Sequence, residues 1–279
     1  MSSVPGAFRH IPVGEIDVFV LFDGLLELPL ALFPDAAKPG ADASFGPGPF
    51  ATAVNCFAVR TGGELYVVDA GCGPWRGDAC GKLIPAMRSA GLDPSGIRAI
   101  LMTHMHGDHA GGLLDEAGAA FPSAKLMLSE PEAAFWSDPG LPARIPERMR
   151  ATLATATRAL AAYEGRTRTF RADEEVVPGV TAIALPGHTP GQVGFRIESA
   201  GQHLFIWADV VHVEAIQFAH PDWIIAFDSD GEQAAATRHR VFAECVAEAT
   251  RVAGMHLDFP ALGRVVRHGD AYGWEAEAG

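Results

Sequence analysis

The densest chemistry in the sequence is Thr-His-Met-His-Gly-Asp-His-Ala-Gly-Gly at residues 103–112. In an extended segment His104 and His106 project to the same side and can reach one cation, while a turn at Gly107 aims Asp108 and His109 elsewhere. Neutral imidazole and carboxylate suit zinc, and also iron, manganese or cobalt, all of which accept nitrogen and oxygen ligands. A single zinc takes three or four ligands, so two ions need more donors than this loop supplies. His188, in Pro-Gly-His-Thr-Pro-Gly, is flanked by turn formers that expose its ring. Asp209 sits just past an apolar run, and His256 lies in a turn before Asp258 and Pro260. Taken singly, His188 or Asp209 reads as a polar residue satisfied locally; taken with the first motif, they complete a two-metal donor set. His10, His203, His220, His239 and His268 show no such spacing and read as solvated or structural. His212, three residues after Asp209, falls within reach of the site.

These donors need regular elements to hold them. Apolar runs bounded by Gly and Pro predict strands at Ile16 to Phe22, Asn55 to Arg60, Leu65 to Val68, Ile97 to Met102, Lys125 to Ser129, Val180 to Leu185, Gly194 to Glu198 and Leu204 to Trp207. Helical spacing covers Lys82 to Ala90, stopped by Gly91, and also Glu147 to Tyr163 and Gly231 to Ala253. Strands and helices interleave without a linker, which predicts a single α/β layered domain over residues 1–279. Ile97 to His106 and Val180 to His188 echo one another, each a strand running into a histidine loop. Two half-sheets facing each other would bring those loops together. Phe33 to Phe50 and Ser137 to Pro146 read as lids, pocket walls or surface excursions.

Composition narrows the function. The chain is 48% hydrophobic and 20% charged, values of a packed globular protein. A formal charge of -13 opposes binding to phosphate backbones or anionic lipid, so no nucleic-acid or membrane partner is expected. Cys56, Cys72, Cys80 and Cys245 form no CxxC pair and read as buried apolar residues. Met1 to Val20 lacks the basic and apolar regions of a secretory leader, and no apolar run reaches the roughly 20 residues that cross a bilayer. The cytoplasm is the expected compartment.

Residues 103–112 resemble the H-x-H-x-D-H signature of the metallo-β-lactamase superfamily, with His188, Asp209 and His256 in that family's order. Asp69, in Leu-Tyr-Val-Val-Asp-Ala-Gly, matches its strand-end aspartate. The resemblance runs from about Ile16 to Asp258 and implies an αββα sandwich. It implies one metal on His104, His106 and His188, another on Asp108, His109 and His256, Asp209 between them, and Asp69 hydrogen-bonded to a ligand. True β-lactamases usually carry Cys or Ser where this chain has Asp209. Glyoxalase II enzymes add a helical domain after the last histidine, whereas this chain ends soon after His256. Nuclease members need a cationic surface, and redox di-iron members typically have Glu at position 106. The Gly-His-Thr-Pro-Gly around His188, Ala208 to Phe218 and Phe227 to Asp230 resemble the branch of methyl parathion hydrolase and the N-acyl homoserine lactonases. Lactonases of that branch often place tyrosine where this chain has His212, and members are often dimers, so a homodimer is the expected assembly.

The expected function is that of a binuclear hydrolase. Two divalent ions, preferably zinc, with Asp108, Asp209 and a bridging hydroxide leave a net charge of about +1, suited to making hydroxide at neutral pH and attracting a carbonyl oxygen. The hydroxide would attack a small-molecule lactone or ester, with phosphotriesters as a promiscuous class. Asp108 or His212 would return a proton to the leaving group. Phe135, Trp136, Phe218 and Trp223 are candidate walls of an acyl or aryl pocket. The alternatives are an organophosphate hydrolase like methyl parathion hydrolase, a di-iron oxidoreductase on the same ligands, and a metal-binding module without turnover.

Overall fold

The computed structural model describes residues 7–41 and 44–277. Residues 1–6 of the stretch read for a leader, and residues 42–43 of the Phe33 to Phe50 segment, lie outside the described residues. Among the described residues two seven-stranded sheets form the body, in each of which the strands lie side by side in chain order, and a two-stranded ribbon pairs Leu114–Asp115 with Gly118–Ala119. The first holds β1 (Phe8–Val13), β2 (Ile16–Leu28), β3 (Phe50–Thr61), β4 (Glu64–Val68), β5 (Ile97–Leu101), β6 (Lys125–Ser129) and β7 (Thr167–Phe170). The second holds β8 (Glu175–Val177), β9 (Val180–Ala184), β10 (Val193–Ser199), β11 (Gln202–Ile206), β12 (Val252–Ala253), β13 (Leu262–His268) and β14 (Ala271–Ala276). The helices are α1 (Leu83–Ser89), α2 (Gly107–Ala110), α3 (Glu130–Trp136), α4 (Arg150–Ala162), α5 (Glu214–Gln217) and α6 (Gly231–Ala247).

The period-2 alternation of a strand explains the layering. In β2, Val18 and Val20 enter one core while Phe19 and Leu21 enter the other; β3 divides Phe57 and Val59 from Cys56 and Ala58 in the same way. The first core lies between the sheets, where those valines meet Ala182, Phe195, Ile197, Leu204 and Ile206 of the second sheet. The second core lies under α1 and α4, where Met87 and Ala159 cover Ile100, Leu126 and Leu128. Helix α6 packs Val241, Phe242 and Cys245 against the second sheet. This is the αββα sandwich. Strands buried on both faces need continuous apolar sequence, which is why the central strands stood out.

The helical spacing over Gly231 to Ala253 overruns the helix, which ends at Ala247. Ala249 adopts a left-handed φ of 49°, and Val252–Ala253 then joins the sheet parallel to β11. Phe205 N donates to Arg251 O and Trp207 N to Ala253 O there, so sheet pairing overrides helical propensity. The edge strand β1, containing Pro12, and the terminal hairpin β13–β14 were not legible in the sequence. The proline is tolerated because β1 has a sheet neighbour on one side only. In the 33–50 segment Phe33 is fully buried beside Val213, Ile216 and Ile225, and Ala226 N donates to Leu32 O at 2.7 Å, so the segment is clamped down.

Strand direction positions the site. Strands β4 and β5 are parallel, so Asp69 and Thr103–His104 leave the same edge of the first sheet. In the second sheet β9 and β11 both pair antiparallel with β10 and therefore share a direction; β12 runs parallel to β11. Residues 187–192, 207–212 and 254–258 thus follow strands that all point the same way.

Candidate metal centre

The seven expected donors come together where those loops meet. The ring of His188 lies 5.0 Å from that of His104 and 4.5 Å from that of His106, so the two histidine loops that echo each other in sequence do converge. Val193 N donates to Thr103 O across the gap at 3.0 Å. Ligand atoms of His104, His106 and His188 lie within 4.8 Å of one another, as do those of Asp108, His109 and His256. Asp209 stands between the groups: its Oδ2 is 3.6 Å from His104 Nε2, 3.3 Å from His188 Nε2 and 3.2 Å from His256 Nε2, and its Oδ1 is 3.2 Å from His109 Nε2. Two ligands about 2.0 Å from one tetrahedral ion stand about 3.3 Å apart, so this spacing fits shared cations.

The other ring nitrogen of four of these histidines is tied. His109 Nδ1 lies 2.7 Å from Asp69 Oδ2, His188 Nδ1 2.8 Å from Asp228 Oδ1, His256 Nδ1 2.8 Å from Ala53 O and His104 Nδ1 3.0 Å from Thr103 Oγ1. Each ring is therefore aimed with Nε2 inward, the arrangement that fixes tautomer and basicity in metal sites. Buried Nε2 atoms of His104, His106, His109 and His188 and Oδ1 of Asp209 have no hydrogen-bond partner. Each such orphan costs about 1–3 kcal/mol unless something binds it, and a cation satisfies all of them together. A second cluster, Asp23 with Cys72 and Cys80, gives the contrast. Asp23 already accepts from Cys72 N, Gly81 N and Leu83 N, and Cys80 Sγ reaches Leu25 O, so its polar atoms are taken. The hydrogen bond with Cys80, reinforced by burial, pushes the Cys72 thiol up.

Electrostatics follow the same division. Burial pushes His104 and His106 well below the usual imidazole range, with neighbouring rings adding to the effect. Burial would also lower His109, yet Asp209, Asp108 and Asp69 outweigh it and hold the ring well above that range. His188 is likewise opposed by burial but raised to about 9 by Asp209 and Asp228, one at each ring nitrogen. Burial alone would raise the Asp209 carboxyl, and His109, His256 and His104 hold it well below the usual carboxylate range. Such proton-holding pairs are what a cation displaces. Asp69 and Ala208 adopt left-handed φ of 58° and 54°. Strain of about 1–3 kcal/mol for such a residue is kept where function needs the geometry, here at Asp69 and immediately before Asp209.

The remaining expected residues separate. His212 Nε2 lies 3.2 Å from Asp209 Oδ2, neither ring nitrogen has a hydrogen-bond partner, and burial lowers the ring to about 4. Trp136 is buried with its ring edge-on to His106 at 6.0 Å, and Phe135 packs on Trp136 at 5.0 Å. Phe218 is in the core, stacked between Phe242 and Trp274. Trp223 stacks on His220 and meets Phe45 edge-on, in the cluster formed by the 33–50 segment. Sequence reasoning missed Asp228, Glu132 and Asn55. Asn55 Nδ2 donates to Met255 O and Leu257 O, pinning the His256 turn to β3. For Asp228 the signal was present, since Phe227 to Asp230 stood out only as a family likeness.

Residues 50–245 match the family model described as the metallo-beta-lactamase superfamily. An N-acyl homoserine lactonase from Bacillus sp is 30% identical over 120 residues, 42% of this chain and 40% of that protein. The chain spans about half the length, or less, of the curated relatives it matches. Among solved structures, the hydrolase AbOPH, described as in the beta lactamase superfamily, is 28% identical with a TM-score of 0.87 over 99% of both chains. AidC, a dizinc quorum-quenching lactonase in complex with a product homoserine, is 26% identical with a TM-score of 0.88 over 98% of both chains. No helix among the described residues is long and apolar enough to cross a membrane.

Proposed function

Because this chain belongs to the metallo-β-lactamase superfamily, we propose that it is a metal-dependent hydrolase with a two-metal centre, acting on lactones or esters of the N-acyl homoserine lactone type. The observation that carries the reading is the convergence of His104, His106, His188, Asp209, Asp108, His109 and His256, with the inward Nε2 of His104, His106, His109 and His188 and Oδ1 of Asp209 buried and unpartnered. Zinc is the metal this nitrogen and oxygen donor set suits, and the dizinc lactonase with a similar chain over its whole length supports it. Bound divalent ions supply a water of depressed pKa and a Lewis acid for the carbonyl oxygen.

The protein's own residues do the rest. Asp69, Asp228, Thr103 and the Ala53 carbonyl lock the rings so that no reorganisation accompanies reaction. Burial of His104, His188 and Asp209 keeps bulk water from screening the site. Asp108, with 21% of its side chain exposed, is the carboxylate of the set that solvent reaches, and it accepts the proton shed by the attacking water. His212 is neutral near pH 7, and with both ring nitrogens unpartnered beside Asp209 it is, with Asp108, a group placed to return a proton to the leaving oxygen.

The test is elemental analysis followed by hydrolysis assays on N-acyl homoserine lactones, aryl esters, aryl phosphotriesters and β-lactams. Two zinc per chain with turnover of lactones or esters is expected. One ion or none per chain at saturation sinks the two-metal reading, and two irons with an electron-spin signal favour redox chemistry instead. Phosphotriesters as the sole good substrates would replace the lactonase assignment.

A further inference from the structure

Glu132 is a carboxylate 1% exposed, in the first turn of α3, that faces no cation. Its Oε1 accepts from Met105 N at 2.9 Å and from Trp136 Nε1 at 2.6 Å; its Oε2 accepts from Thr189 Oγ1 at 2.6 Å and from Gly191 N at 3.2 Å. Met105 lies between His104 and His106, and Thr189 directly follows His188. One side chain therefore joins the two loops that carry the three-histidine half of the centre, and the indole it orients stands edge-on to His106. The neighbourhood is built around this contact. A Cβ on Gly191 would come within 2.0 Å of Glu132 N, so the 187–192 loop sits directly on the start of α3. Ser129 Oγ donates to Gly191 O and accepts from Glu132 N, adding a second tie at the same corner.

A buried charge is costly unless every lone pair is used, and four neutral donors here do that. Packing alone would be served as well by an apolar side chain of this size, so the carboxylate is retained for its directional bonds. We propose that Glu132 is a positioning residue: it fixes the spacing of His106 and His188 and thereby sets metal affinity at the half of the centre formed by His104, His106 and His188. The role rests on the two-metal reading above, but metal binding, not turnover, reports on it.

Glu132→Gln keeps the shape and replaces one acceptor oxygen with an amide. Turned toward Met105 and Trp136, the amide faces two donors; turned toward Thr189, whose hydroxyl can accept, it leaves Gly191 N unpaired. Either way one loop is released. Thr189→Val removes one of the two hydrogen bonds from the 187–192 loop to Glu132 and leaves that of Gly191 N, without altering α3. Metal-free wild type, both variants and His106→Ala are titrated with zinc against a chromophoric chelator, giving stepwise constants, with circular dichroism to verify folding. For Glu132→Gln one constant should weaken about 10–100-fold, as when a partner of a ligand is lost, while the other stays near wild type. The surviving constant should match that of His106→Ala. Thr189→Val should weaken the same constant, by less.

If folded variants keep both constants, or lose both alike, Glu132 is only scaffold and the proposal is overturned. Should Glu132→Gln fail to fold, Thr189→Val decides by the same criterion. Wild type that binds two zinc ions but hydrolyses none of the panel removes the hydrolase reading and leaves the role of Glu132 standing.

Discussion

Replacing Asp228 with Asn gives a pH-dependent result whose size follows from the geometry. Asp228 Oδ1 lies 2.8 Å from His188 Nδ1, and its Oδ2 accepts from Ile225 N at 3.0 Å. With Asp209 at the other nitrogen, it raises His188 to about 9 from the ordinary 6.5 against the effect of burial. If the two carboxylates share that rise about equally, the Asn variant lowers the ring by ~1 unit, or ~1.4 kcal/mol. Zinc must displace this proton. At pH 7 the wild-type ring holds it about 2 units above ambient, costing ~100-fold in apparent affinity, against ~10-fold in the variant. The variant thus regains ~10-fold at pH 7. It also loses the anion that raises ligand basicity, a loss of about 10–100-fold at any pH. The two effects partly cancel at pH 7, leaving zinc binding between unchanged and ~10-fold weaker. Near pH 9.5, where the wild-type ring is already neutral, the full loss shows. The measured quantity is the ratio of variant to wild-type affinity, by chelator competition from pH 6.5 to 9.5; hydrolysis of free zinc cancels in that ratio. That ratio should shrink as pH rises, and one that stays flat or grows would refute the reasoning.

Four further outcomes are expected. Stripping the metals with a chelator should lower Tm by several degrees, because ligand at 1,000 times its Kd contributes about 4 kcal/mol to a domain that shifts by roughly 2 °C per kcal/mol; differential scanning calorimetry with and without added zinc checks it. In the metal-free protein His188 is raised above its unfolded value, so its contribution is complete below pH 6.5 and is lost as pH rises through about 9, by up to ~3 kcal/mol. Urea midpoints of the chelated protein across that window should fall. His212→Ala should cut kcat about 10²-fold or more on esters with poor leaving groups and much less on 4-nitrophenyl esters, if the ring assists the leaving oxygen; equal losses on both would assign it to binding. Gly191→Ala should destabilise by at least about 1–3 kcal/mol, since its Cβ meets backbone at Glu132 that cannot swing aside.

Legibility in the sequence divided along physical lines. The central strands announced themselves because burial on both faces requires unbroken apolar runs, and His104, His106, Asp108 and His109 because no packing argument explains so many ligands in one turn. The edge strand β1 and the hairpin β13–β14 lacked that pressure and were missed. Helical spacing over Gly231 to Ala253 could not reveal that Val252–Ala253 pairs with β11, since that bond is to a strand distant in the chain. Phe218 and Trp223 showed the same limit: an aromatic near a ligand in sequence can turn toward the core, as Phe218 does, or into another cluster, as Trp223 does.

By itself, then, the order of residues determined which side chains can bind cations, which runs must be strands, and the resemblance that gives the fold. Only the folded chain decided the partners of those side chains: Asp69 on His109, Asp228 on His188, and Glu132 between two loops. The reason is range. Ligand chemistry and strand periodicity are local properties of a segment, whereas a hydrogen bond between positions dozens of residues apart exists only after strand direction and sheet packing have carried the two ends to one place.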